Sequence, residues 1–323
     1  MSTVMVNAGQ GFKNILVAMD FSPSAEAAFK QAEWLARRTG AQIALANVIP
    51  DLSMSPHWGP EERESNQRTL YKRSEAAMHK MVADLNATDL NIEFKILIGE
   101  PFVEITLSVQ TDGFDLVLAG TQGLAMWKQA FIGSTAKRLI RTCPASVFIV
   151  KAGHVAPPKV VLAATDFSDV SLKAVKEGLW IAQQSGAEFH LLHIIDSKDV
   201  PEDMVSNIPE GSSMRQEIDA EASRRLDEFL GTLTDDRTQI QVHLSLGRPW
   251  QEIQRMSQHL SADLVVIGTV GRSGIKGMLL GNSAEKILDT SGSSTLAVKP
   301  AGFVSPIEPP SGPLHSSPES HES

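Results

Sequence analysis

NILVAMDFSPSAEAAFKQAEWLARRTGAQIALANVI, from Asn14 to Ile49, recurs as VVLAATDFSDVSLKAVKEGLWIAQQSGAEFHLLHII from Val160 to Ile195, at a constant offset of 146 residues. Asp20 falls on Asp166, Trp34 on Trp180 and Gly40 on Gly186. Further on, GEPFVEI matches GRPWQEI and FDLVLAGTQG matches ADLVVIGTVG at an offset of 148, carrying Gly99, Pro101, Asp115 and Gly120 onto Gly247, Pro249, Asp263 and Gly268. The chain therefore holds two copies of one domain, residues 11–151 and 159–300, and the two-residue difference falls in the variable middle of each copy. Residues 1–10 read as a flexible start and 152–158 as a linker whose Pro157 and Pro158 cannot extend a helix. The tail, 301–323, is rich in Ser and Pro and reads as disordered.

Each copy alternates strand and helix, β-α-β-α-β-α-β-α-β, which predicts an α/β fold: two tandem, doubly wound, five-stranded parallel sheets with crossover helices on both faces. The first strand (15–19; 160–164) is a continuous apolar run, the pattern of a strand buried on both sides. Ser22 before Pro23, and Ser168 before Asp169, are helix-start signals, and Gly40 or Gly186 ends that helix. The pattern then predicts a strand (42–48; 188–194), a polar helix (61–85; 214–230) and a third strand (92–97; 240–245). Pro101 or Pro249 opens the third helix, 115–119 or 263–267 makes the fourth strand, and a helix from about Ser134 or Asn282 leads to the fifth, 146–150 or 295–299. Those fifth strands would be sheet edges, which need covering.

Composition removes several classes of function. The 323 residues are 42% hydrophobic, enough for two cores, and 29 basic against 38 acidic side chains leave a net charge of −9. Such a chain repels nucleic acid and anionic lipid, and no basic patch of useful size compensates. The single cysteine, Cys143, excludes an internal disulfide and fits a reducing compartment. No apolar stretch reaches the roughly 18 residues of a membrane helix, and MSTVMVNAGQ lacks the features of a signal peptide. A soluble, cytoplasmic protein is the expectation.

In open parallel sheets ligands bind beyond the carboxyl ends of the strands, where strand order reverses. The loops after the first and fourth strands are therefore the informative ones. The latter reads Gly120-x2-Gly123-x9-Gly133-Ser134 in the first copy and Gly268-x2-Gly271-x9-Gly281-Asn282 in the second. Glycines allow close backbone approach, and the last of them opens a helix whose free N–H groups and dipole favour an anion such as phosphate. One GxxG is weak; the same spacing twice, each time after a buried strand, is a stronger signal. Asp20 and Asp166 end the first strands and are open to two readings, helix capping or an acceptor for a nucleobase amino group or ribose hydroxyl. Ser22 and Ser168 are better placed as caps, leaving the carboxylates without an evident structural task.

The DFS that follows each first strand, the glycine signature and closing runs such as CPASVFIV together resemble the universal stress protein family, as a tandem of two domains covering all but the termini. The resemblance implies a Rossmann-like fold of the adenine nucleotide alpha hydrolase type with strand order 3-2-1-4-5. It also implies ATP, or a related adenine nucleotide with or without Mg, as ligand. Carried over, the first copy would use Asp20 and the backbone at Val48 for the base, and Gly120, Gly123, Gly133, Ser134 and Thr135 for ribose and phosphates. Leu124 stands where many relatives carry a basic residue. The second copy offers Asp166, Ile194, Gly268, Gly271, Arg272, Gly281, Asn282 and Ser283, with Asn282 replacing the usual Ser or Thr. The same resemblance implies an internal pseudo-dimer around the fifth strands, and leaves a homodimer and unknown client proteins as further partners.

Other features read as structural. His190 and His193 lie three apart on a strand and face opposite sides, so they do not share a metal. Trp34 with Trp180, and Phe102 with Trp250, read as core aromatics, and the charges of 61–73 as a solvated helix face. Cys143 has Ser291 as its counterpart, which argues against a shared catalytic thiol. The leading function is a nucleotide-binding regulator of stress responses, with no catalytic residues assigned. A scaffold that no longer binds nucleotide and a slow ATPase are the alternatives; no GxxxxGK[ST] is present, and the only GxG, at Gly9 and Gly11, precedes the first strand.

Overall fold

The computed structural model describes residues 11–121, 132–153, 156–196, 213–233, 239–271 and 280–309. The first half runs β1 (Asn14–Ala18), α1 (Pro23–Thr39), β2 (Gln42–Ile49), α2 (Pro60–Asp84), β3 (Ile92–Ile98), α3 (Pro101–Asp112), β4 (Leu116–Gly120), α4 (Ser134–Thr142), β5 (Ser146–Val150). The second runs β6 (Val160–Thr165), α5 (Asp169–Ser185), β7 (Glu188–Asp196), α6 (Ser213–Leu233), β8 (Ile240–Gly247), α7 (Pro249–His259), β9 (Leu264–Gly268), α8 (Asn282–Thr290), β10 (Ser294–Val298). Local chemistry explains the boundaries. Ser22 Oγ accepts the Ala25 N–H at 3.2 Å and Gly40 closes α1 in the left-handed region at φ 75°. Ser168 and Gly186 repeat this around α5, with a 3.2 Å cap and φ 70°. β7 and β8 run past the apolar pattern because they remain paired as far as Asp196 and Gly247, and α6 reaches Leu233 because that side chain is buried.

Each half has strand order 3-2-1-4-5, and the halves join into one ten-stranded sheet, β3-β2-β1-β4-β5-β10-β9-β6-β7-β8. Pairing within each half is parallel. The join is antiparallel, with Val147 opposite Ala297, Phe148 opposite Leu296 and Ile149 opposite Thr295. The fifth strands therefore cover one another, and the free edges are β3 and β8.

One face of the sheet carries α1, α2, α5 and α6 over a single core that crosses the join, with Phe29, Leu35, Met78, Phe148, Leu179, Phe229 and Leu296 among its members. The other face is covered by α3 and α4 in the first half, whose cluster also takes in Leu288 and Ala297 across the join, and by α7 and α8 in the second. The two apolar sides account for the uninterrupted apolar strands of the sequence. The tail differs from expectation over 301–309. Phe303 lies under the Lys299 amine, 4.2 Å from ring centroid to Nζ, and the Ile307 carbonyl accepts from Gln110 Nε2 on α3 at 3.2 Å. These contacts hold its first residues against the first half despite their polar composition. Residues 1–10 lie outside the described residues.

The join also buries a carboxylate. Glu177, on α5 of the second half, accepts from Ser146 Oγ of β5 at 2.9 Å and has Lys173 Nζ at 3.7 Å. Its counterpart in the first half is the neutral Gln31. Burial, opposed only in part by Lys173 and Ser146, lifts the Glu177 carboxyl from 4.5 to about 7. The folded chain thus holds this proton more tightly than the unfolded chain. The stability so contributed is complete below pH 4.5 and is lost as pH rises through about 7. Glu177→Gln should be more stable than the parent by roughly 1–3 kcal/mol at pH 8, with the gap narrowing towards pH 5. Urea midpoints of both chains at the two pH values check this; a gap independent of pH would contradict it.

Candidate functional site

The DFS after each first strand builds a compact turn. Phe21 and Phe167 adopt left-handed φ values of 61° and 66°, which turns the next N–H back towards the aspartate. Asp20 Oδ1 accepts from the Ser22 N–H at 3.0 Å, and Asp166 Oδ1 from the Ser168 N–H at 3.1 Å and its hydroxyl at 2.6 Å. This corrects the sequence reading: the carboxylates do have a structural task, an Asx-type turn that aims the serine caps.

In the first half the strand ends open into a cleft of about 290 Å³, near the lower end of the range for small-molecule sites. Asp20 from the end of β1, Val48 from β2, Gly120 and Thr121 from the end of β4, and Gly133, Ser134 and Thr135 at the start of α4 all line it. Pro101 and Ile105 of α3 supply an apolar wall. Gly133 is the N-cap and has no side chain to offer; its N–H goes to the Thr121 carbonyl at 2.7 Å. Among the described residues no side chain at the N-cap accepts from the first-turn N–H groups of α4 where they meet the cleft, the arrangement that takes an anion. Gly123 and Leu124 lie outside the described residues.

The sequence reading missed Asn47, which also lines the cleft. Its Nδ2 donates to the Met19 carbonyl at 2.6 Å and its Oδ1 accepts from Ser74 Oγ at 2.7 Å, so it pins β2 to the residue before Asp20. A polar residue among the apolar ones of β2 was the available signal. The counterpart, His193, does the same in the second half: Nδ1 lies 2.9 Å from the Thr165 carbonyl, so that nitrogen carries the proton.

The second-half residues are arranged differently. The chain at Gly271 passes so close to Asp166 that a Cβ there would stand 2.8 Å from Oδ2. The Ile194 side chain is buried in the core with Leu192, Ile267 and Ile287, and β7 holds it in the register that Val48 has in β2. Phe167 lies against His193, with ring centroids 4.0 Å apart, and the Arg225 guanidinium covers it at 4.9 Å. Gly281 is the N-cap of α8, and Asn282 and Ser283 begin that helix. Gly268 ends β9, and Arg272 lies outside the described residues.

The residues read as structural take such places. Trp180 packs edge-on against Phe12 with centroids 5.6 Å apart, while Phe102 and Trp250 each carry a cation, Arg138 at 4.7 Å and Lys286 at 5.0 Å. Cys143 is buried, which pushes its thiol up to about 11 and away from reactivity. His190 pairs with His243, Nδ1 to Nε2 at 2.9 Å. Among the described residues no three His, Cys, Asp or Glu side chains gather as metal ligands, and no helix is long and apolar enough to cross a membrane.

Strand order, repeat and cleft define a class: tandem doubly wound α/β domains with a ligand cleft at a switch point. The Universal stress protein family matches residues 11–151 and 158–299, and the chain belongs to that family. Universal stress protein E of Escherichia coli (strain K12) is 28% identical over 313 residues, covering 92% of this chain and 97% of that protein. The Universal stress protein E homolog of Haemophilus influenzae is 26% identical over 312 residues, covering 90% and 98%. A solved universal stress protein from Archaeoglobus fulgidus, 18% identical, shares the fold at a TM-score of 0.66 over 88% of this chain and 98% of its own.

The glycines that end β4 and β9 serve packing. A Cβ on Gly120 would meet the backbone of the first turn of α1, 2.7 Å from Ser24 C and 2.8 Å from Ala25 N, besides the Ser24 hydroxyl. One on Gly268 would meet a Val170 methyl at 3.0 Å and backbone only at 3.5 Å. Gly120→Ala should therefore destabilise the chain by about 2 kcal/mol or more, in the range of core overpacking, and Gly268→Ala by less. Chemical denaturation of the two variants measures the order; equal losses would contradict it.

Proposed function

We propose that this chain is an adenine-nucleotide-binding regulator in the stress response, and that it holds one nucleotide per chain, ATP or a close relative, in the first half. The observation that supports this most is the convergence of Asp20, Val48, Gly120, Gly133, Ser134 and Thr135 on one cleft. The Asp20 carboxylate accepts hydrogen bonds from a ribose hydroxyl or a base amino group. The apolar wall of Pro101 and Ile105 takes the flat base, and the uncapped start of α4 takes phosphate oxygens. A magnesium ion would arrive on the phosphates of the nucleotide.

The second half supports a different role. Gly271 stands over Asp166 where the corresponding ligand group would have to enter. That half acts as the fixed partner of the first, by protein contacts. No side chain in the first-half cleft is assigned as a general base, so the reading is binding and release, with occupancy shifting the population of states that partner proteins meet.

Native mass spectrometry of the purified chain with added ATP should show one nucleotide per chain. Asp20→Ala should weaken binding by roughly tenfold or more, the scale of a lost hydrogen bond to a charged group, and Asp166→Ala by less than about twofold. Two nucleotides per chain, or equal effects of the two substitutions, would overturn the assignment to one half. Phosphate release well above the spontaneous rate would overturn the non-enzymatic reading.

A further inference from the structure

The offset of 148 makes Lys137 the counterpart of Glu285 and Arg141 the counterpart of Asp289. Across the join these positions cross over: Lys137 Nζ lies 2.5 Å from Asp289 Oδ1, and Arg141 pairs with Glu285. Position i meeting j while j meets i is the contact pattern of a two-fold axis. Phe148 and Leu296, also counterparts at that offset, stand directly opposite each other in the β5–β10 ladder, where the axis passes.

An interface between identical halves would put the same residue on both sides of that axis. Here both crossing positions are basic in the first half and acidic in the second, and the axis joins a large side chain to a smaller one. We propose that this divergence is a pairing code, which makes the first half select the second half and reject a second copy of itself. First with first would set Lys137 against Arg141 twice and force Phe148 against Phe148. Second with second would set Glu285 against Asp289 twice and leave Leu296 against Leu296, too small for the space. The adjacent cations, Arg138 and Lys286, have the same sign in both halves but turn towards Phe102 and Trp250 and do not dilute the code. The code acts where it is needed, because β5 and β10 are apolar strands that would pair with any matching edge until the halves dock.

Charge reversal in the full-length chain reproduces each rejected contact. Lys137→Glu with Arg141→Glu sets acid against acid, as second with second would. Glu285→Lys with Asp289→Lys sets base against base, as first with first would. At about 20 mM salt each double variant should melt roughly 3–8 °C below the parent, and about 0.5 M salt should recover much of the loss. The fourfold exchange, with all four charges reversed, restores opposite signs and should melt within about 2 °C of the parent. Double variants that match the parent at low salt would overturn the proposal. So would a fourfold exchange that melts as low as the double variants, since the individual residues and not their signs would then be what the join requires.

Discussion

β5 and β10 are five residues each, SVFIV and STLAV, and every one of those residues is buried. A sheet ordered 3-2-1-4-5 leaves its fifth strand with one row of N–H and C=O groups unpaired, and a strand this apolar cannot offer that row to water. Pairing the two strands antiparallel removes both edges at once, and much else follows from it. The ladder sets the halves about a pseudo-two-fold axis in one continuous sheet, which puts α1 and α5 on the same face and lets one core run through both halves. It also brings each half's last lysine against the other half: Lys151 Nζ donates to the Ser291 carbonyl and Lys299 Nζ to that of Ile140. Burial lowers the Lys299 amine to about 8. The cost of burying that amine is offset in part by its carbonyl partner and by the Phe303 ring beneath it, which ties the segment after β10 to the join.

Once the halves are fixed in place, counterpart positions can diverge, because each need satisfy only its own side. Asn47 and His193 keep the same bond to the carbonyl preceding the aspartate with different chemistry. Gln31 and Glu177 are both buried, yet one is neutral and the other carries a displaced proton. Both halves have the Asx turn, both have a glycine N-cap without a side chain at the start of the last helix, and in the second Gly271 of the intervening loop stands against the aspartate.

Much of this was legible in the sequence where a signal is local. Ser22-Pro23 and Ser168-Asp169 start helices through side-chain bonds spanning three residues, Gly40 and Gly186 end them through their own φ, and a parallel sheet announces itself in continuous apolar strands. The contacts that were not legible depend on distant residues. Asp115 and Asp263 match across the repeats as readily as Asp20 and Asp166 do. The fold uses the former to hold the starts of β1 and β6, through Lys13, Asn14, Lys159 and Val160 N–H groups at 2.8–3.1 Å. Recurrence alone could not tell a strand clamp from a site residue. Nor did it show that Gly120, which lines the cleft, also leaves room for the first turn of α1. The early segment of the tail is ordered by one ring under a lysine and one amide on α3, and composition carries no trace of either.

The cleft itself shows why a helix dipole is insufficient to define a site. α4 and α8 are both nine-residue helices opened by glycine, with the N–H of that glycine held by a threonine carbonyl at 2.7 and 2.8 Å. Their backbone dipoles are alike, but the side chains beside them are not, because Lys137 stands in α4 where Glu285 occupies the first turn of α8. A molecule long enough to reach from that terminus to the aspartate must also have somewhere to lie. In the first half Thr135 and Asp20 line one cleft with Pro101 and Ile105; in the second, Gly271 lies against Asp166. An isolated phosphate would meet a neighbouring cation at the start of α4 and a neighbouring carboxylate at the start of α8. A nucleotide must place a base, a ribose and phosphates together, so on the proposed reading the space beside the carboxylate counts together with the charge at the helix.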